Sequence, residues 1–196
     1  MKRISTGLKI WELALLCALS VTLCAALWAQ GETERIDDAL IRLHVLAVSD
    51  DAEEQAVKLR VRDAVLAFLR PRLAGAESRE EAEQFLLSAI DELQRAAEQA
   101  AEGRQVTVTL TRERYPTRRY EGFALPAGRY TSLRVILGEG AGRNWWCVVY
   151  PPLCLDASGA DALTDVLGED TASILCADGH TVVRFKLLEL WGKLRG

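Results

Sequence analysis

The chain has 196 residues, enough for one well-buried domain and too few for two of typical size. Hydrophobic residues make up 49% and charged residues 27%, a balance typical of globular rather than disordered proteins. Beyond the first thirty residues, 21 basic and 27 acidic residues leave a net charge of −6. This argues against nucleic acid as a partner, because binding through counterion release needs a basic surface.

The N-terminal segment has the order of an export signal. A short cationic stretch, residues 1–9, precedes an apolar run, residues 13–29, that ends among alanines. Such a run also reaches the lower length limit of a membrane-spanning helix. We therefore expect residues 1–30 to be either a cleaved signal peptide or a retained anchor that associates with a membrane through residues 10–29. The rest is exported in both cases, and the polar residues 31–39 form a linker.

The pattern after this linker changes from strand to helix. Apolar and polar residues alternate over residues 40–48, which predicts a half-buried strand. Apolar residues at helical spacing then predict one helix that Pro71 stops and a second between Ser78 and Gly103. Ser78 and Glu81 form a capping box at the start of the second helix.

Strands return in the second half of the domain. The patterns predict four of them, at residues 106–111, 117–125, 130–137 and 145–150. Their connections are only a few residues long, which favours antiparallel neighbours. We therefore expect residues 40–155 to form an α+β domain, with an antiparallel sheet of about five strands and two helices on one face.

The C-terminal extension, residues 156–196, carries weaker patterns. They predict a short helix over residues 160–167 and a short strand over residues 172–176. Apolar residues between Val183 and Leu194 fall on one helical stripe, which predicts an amphipathic helix.

Two adjacent tryptophans and two cysteines make residues 145–154 the most unusual stretch. Neighbouring strand residues point to opposite faces, so one of Trp145 and Trp146 can fill the core while the other faces outward. The alternative is that both tryptophans serve the core. Two prolines then end the strand. Cys154 can fold back on Cys147 if their Cα atoms come within about 7 Å, so we expect this disulfide, with two buried free thiols as the alternative.

Charge is divided unevenly between the two halves of the domain. Residues 50–102 carry a net charge of −6, whereas residues 103–150 carry eight arginines and three glutamates. Solvated faces of each sign are the simple explanation, and an arginine-rich surface that meets an acidic partner or anionic lipid is the sharper one. We predict a partner-binding surface built from Trp145, Trp146, Arg118, Arg119, Arg134 and Arg143.

The sequence offers no established catalytic constellation. The glycine-rich residues 138–142 lack the Lys-Ser/Thr of a phosphate-binding loop and precede a strand, which favours a hairpin connection. No metal-ligand spacing of cysteine and histidine appears. We expect no catalytic residue, metal or cofactor. A thiol hydrolase that pairs His44 with Cys147 or Cys154 stays an alternative.

Several segments resemble the stage II sporulation protein R family. They lie at residues 42–50, 59–66, 115–117, 125–128, 133–140, 144–147 and 151–154. The resemblance implies a signal made in the forespore and exported into the space between the two septal membranes. There it would trigger a membrane-embedded aspartic protease of the mother cell, which matures a sporulation sigma factor from its precursor. The family supplies no catalytic residue, and an envelope-binding module without signalling is a further alternative.

Overall fold

The computed structural model describes residues 10–120, 122–153 and 159–176. A four-stranded sheet lies at its centre, and two short strands pair beside it. The strands are β1 (Ile41–Leu46), β2 (Val106–Tyr115), β3 (Arg118–Arg119), β4 (Ala124–Leu125), β5 (Gly128–Leu137) and β6 (Asn144–Tyr150). The order across the sheet is β2-β5-β1-β6.

The sheet is mixed, so the predicted all-antiparallel sheet of about five strands is wrong in part. β1 runs parallel to β5, with Leu43 opposite Leu133, and antiparallel to β6. The parallel pair arises because β1, separated from the other strands by the helices, inserts between β5 and β6. The strand predicted over residues 117–125 is replaced by β3 and β4, which pair only with each other.

Three helices pack on the first face of the sheet. They are α2 (Ala52–Leu73), α3 (Arg79–Ser88) and α4 (Ile90–Ala100), numbered after α1 (Ile10–Ala39). The predicted second helix is therefore broken near Ala89. Its N-cap is present, since the Ser78 hydroxyl accepts from the Glu81 amide, but the Glu81 carboxylate accepts from the Glu77 amide rather than from that of Ser78 as in a capping box. Pro71 does not stop α2, because the fully buried Leu69 and Leu73 hold its last turn against the core.

One long helix, α1, joins the apolar N-terminal segment to the domain. It is long and apolar enough to cross a membrane, and no residue of its most apolar part is buried. Residues 31–39, expected to be a linker, are instead the helical end of α1. Ile36 packs there in a second hydrophobic core, which lies on the face of the sheet opposite α2–α4 and includes Tyr130 and Val148. The Glu32 carboxylate accepts from the Thr171 hydroxyl at 3.2 Å. The apolar segment is thus continuous with a docked part of the domain.

The second face of the sheet is also covered, whereas helices were expected on one face alone. Its cover consists of β3, β4, the end of α1, and two helices, α5 (Gly159–Leu167) and α6 (Glu169–Cys176). The helix predicted over residues 160–167 is confirmed as α5. The strand predicted over residues 172–176 is wrong, because these residues belong to α6. The amphipathic helix predicted between Val183 and Leu194 lies outside the described residues.

Candidate functional site

Strand alternation places two basic side chains of β1 on the second face of the sheet. Ile41, Leu43 and Val45 point into the core under α2–α4. Arg42 and His44 therefore point the other way. Side chains of this second face form a cluster that we call the arginine–aromatic face, made by Arg42, His44, Tyr115, Arg118, Arg134 and Trp146.

Arg42 is the most unusual residue of this face, because its side chain is fully buried and carries a charge. Its guanidinium carbon lies 3.8 Å from the ring centroid of Tyr115, 4.8 Å from that of Tyr130 and 5.9 Å from that of Tyr120. Nη2 donates a hydrogen bond to the Tyr120 hydroxyl. The three tyrosine rings thus stabilise the cation through the negative electrostatic potential of their π-electrons. Within the described residues, Nε and Nη1 have no acceptor.

His44 lies one step along β1 and contacts a carboxylate. Its Nδ1 is 2.9 Å from the Glu113 carboxylate, which also lies 3.2 Å from Nε of Arg134. Burial would raise the pKa of Glu113, but hydrogen bonds from His44 and Ser132 and the nearby positive charges outweigh it and lower that pKa. Nε2 of His44 is buried and has no partner among the described residues.

The two tryptophans of β6 lie on opposite faces, as their adjacency predicts. Trp146 stacks under Arg118, whose guanidinium carbon is 3.5 Å from the ring centroid, and lies 5.3 Å from the ring of His44. Trp145 packs on the helical face, where Arg62 lies 5.0 Å from its ring. Both tryptophans are half-buried. Neither is therefore the fully core or fully outward residue that the alternation suggested.

The four predicted arginines do not form one patch. Arg118 and Arg134 lie on the arginine–aromatic face, and the exposed Arg119 follows Arg118 in β3. Arg143 lies elsewhere, in the loop between β5 and β6. Its side chain is 72% exposed, and its Nε is 3.4 Å from the carboxylate of Asp50, which precedes α2. The structure thus joins Trp146 to Arg118 and Arg134 and separates Trp145 and Arg143 from them.

The cysteines do not form a nucleophilic site with His44 in the described residues. Cys147 is opposite Leu43 in the β1–β6 register, whereas His44 is opposite Trp146. Because Leu43 points under the helices, Cys147 and His44 lie on opposite faces of the sheet. Cys154 lies outside the described residues, so its predicted disulfide with Cys147 stays a prediction. Cys176 carries a free thiol.

Comparison with known proteins decides the family. The sequence model of stage II sporulation protein R matches residues 37–159, more than half of the chain. The chain belongs to the stage II sporulation protein R family. It is 36% identical over 135 residues to stage II sporulation protein R of Bacillus subtilis (strain 168), an alignment covering 66% of this chain and 60% of the relative. The chain thus spans less than two thirds of that relative's length. No solved structure matches the chain.

The family match includes the whole arginine–aromatic face, yet sequence reasoning found only part of it. Arg42 and the three tyrosines around it were missed, because an arginine in an alternating strand is ordinarily read as solvent-exposed. One signal was available. Arg42 and His44 share a face of a strand whose other neighbours are apolar, and such a strand is covered on both sides when it is central to a sheet.

Proposed function

We propose that this protein is an exported signal in endospore formation that activates a membrane-embedded aspartic protease of the mother cell. That protease matures a sporulation sigma factor from its precursor. The observation that carries the proposal is the family match over residues 37–159, which covers the sheet and α2–α4 but leaves out α6, most of α1 and all of α5 except Gly159. The signal would come from the forespore and act in the space between the two septal membranes.

The N-terminal helix supports export. Its apolar part is exposed on all sides, with Trp11, Leu15 and Leu23 among the side chains more than half open to solvent. A soluble protein rarely exposes so continuous an apolar surface. An export signal or a membrane anchor accounts for it, and either delivers the domain outside the cytoplasm.

The arginine–aromatic face supports contact with a protein partner. Trp146 and Arg118 are both partly exposed and stacked on each other. Tryptophan and arginine are the residue types most enriched among the few side chains that dominate binding energy. The stacking holds both side chains in place before binding, which lowers the entropy lost when the complex forms.

A reconstituted membrane preparation tests this function. Membranes that contain the protease and its sigma-factor precursor receive the purified full-length chain from outside, and precursor cleavage is followed by gel. We expect cleavage that depends on the concentration of added chain. Cleavage at the same rate without the chain, or none at saturating chain, would contradict the proposal.

A further inference from the structure

The charge of Arg42 has no acidic partner within the described part of the chain. The side chain is fully buried, yet its one hydrogen-bond acceptor is the neutral Tyr120 hydroxyl. Nε and Nη1 are buried without any acceptor. Removing a charge from water is costly unless it is paired and hydrogen-bonded, and three tyrosine rings offset only part of that cost. An anion at this position would supply the acceptor that the described residues do not.

Another guanidinium donor of the arginine–aromatic face is also without an acceptor in the described part of the chain. Nε of Arg118 is buried and lacks a partner among the described residues. The carboxylate of Glu113 is near, but it is already shared between His44 and Arg134. Among the described residues, buried guanidinium N–H groups of Arg42 and Arg118 are therefore in surplus over the acceptors that they reach. Such a surplus favours a negatively charged ligand with oxygen acceptors.

Tyr120 contacts Arg42 and is also partly open to solvent. Its ring is only partly buried and stacks on Phe123, 4.8 Å between centroids, which is partly exposed too. Its hydroxyl reaches inward to Arg42. A carboxylate is a much stronger acceptor for a guanidinium than a neutral hydroxyl is. Rotation of Tyr120 toward solvent would exchange one acceptor for the other without moving the sheet.

We propose that Arg42 binds a carboxylate from an acidic segment of a partner protein, which takes the place of the Tyr120 hydroxyl. The inference rests on the proposed function in that the acidic segment would belong to the activated protease. A carboxylate is the anionic group that the unmodified side chains of a protein partner present, so we assign the site to a carboxylate rather than to a phosphate. Trp146 and Arg118 then form the rim of the same contact.

Blocked tripeptides test the site on the full chain in detergent micelles. Acetyl-Gly-Glu-Gly-amide is titrated while the side-chain Nε–H resonance of Arg42 is followed by NMR, with the glutamine tripeptide as neutral match. We expect a saturable change in the chemical shift of this resonance. The dissociation constant should be at least tenfold larger for the glutamine peptide than for the glutamate peptide. Equal effects of both peptides, or no shift, would overturn the proposal. So would stronger binding of inorganic phosphate than of the glutamate peptide.

Three variants separate binding from folding. Arg42→Met, followed through the Nε–H resonance of Arg118 instead, should abolish peptide binding with an unchanged or higher melting temperature, since methionine fits among the rings without a charge to bury. Arg95→Met, an exposed arginine on α4, should bind like the parent. Tyr120→Phe removes the competing hydroxyl and should bind the glutamate peptide about three- to tenfold more tightly. Unchanged or weaker binding by Tyr120→Phe would refute the exchange, even if Arg42→Met failed to fold.

The proposed function and this inference fail in different ways. Peptide binding is measured on the chain alone, whereas activation is measured as precursor cleavage by the protease. Binding without activation would leave the carboxylate site intact and remove the signalling role. If the Arg42→Met variant activates the protease as strongly as the parent does, the carboxylate site is not part of the signalling contact.

Discussion

Replacing Trp146 by alanine should separate the signalling role of the arginine–aromatic face from its structural role. The centroid of the Trp146 ring lies 5.3 Å from that of His44 and 6.4 Å from that of Tyr115. The guanidinium carbon of Arg118 lies 3.5 Å from the Trp146 centroid. Truncating a fully buried tryptophan costs about 3–5 kcal/mol. Because this ring is half-buried, we expect a loss of about 2 kcal/mol in the free energy of unfolding.

Trp145 provides the matched control, since it is half-buried on the opposite face and has its own arginine partner, Arg62, at 5.0 Å. Trp145→Ala should cost about the same stability, roughly 2 kcal/mol. If Trp146 anchors the partner, its loss should also weaken binding by about 2 kcal/mol, a factor of about 30 in the concentration needed for activation. Urea unfolding and concentration-dependent precursor cleavage measure the two effects. Equal losses of activation in both variants would refute this reasoning.

Three other outcomes are expected. Non-reducing peptide mapping should find Cys147 joined to Cys154; a bond to Cys176, or three free thiols, would show the pairing to be wrong. Replacing residues 1–30 by an unrelated secretory signal should preserve sporulation signalling, and activity that depends on the native segment would make it a recognition element. Glu113→Gln should make the free energy of unfolding fall less steeply as the pH decreases. A carboxylate with a lowered pKa stabilises the fold above its ordinary pKa of 4.5 and loses this effect as pH falls below it, so parallel acid-unfolding curves would contradict the expectation.

Local patterns in the sequence predicted much of the secondary structure. Helical spacing located α2 and α5, and alternation located β1, β5 and β6, because each pattern reflects which side of one element is buried. The opposite placement of Trp145 and Trp146 follows from the same alternation. These features depend on neighbours in sequence, so a single chain suffices to predict them.

Pairings between distant segments were not predictable in this way. Nothing local shows that β1 would lie parallel to β5, since the contact joins residues about ninety positions apart. Likewise the helical end of α1 over residues 31–39 owes its order to docking in the second core, which overrides its polar composition. The burial of Arg42 depends on tyrosines from β2, β3–β4 and β5 together, and only the assembled fold shows it.

Photo-crosslinking tests the central claim, contact between the arginine–aromatic face and the protease, most directly. A benzophenone side chain is placed at exposed Arg119, beside Arg118 in β3, and in a matched chain at exposed Arg95 on α4. Both chains are added to membranes that contain the protease, irradiated and analysed by mass spectrometry. We predict a crosslink to the protease from position 119 and none from position 95. A crosslink from position 95 alone, or from neither position while the precursor is still cleaved, would contradict the account.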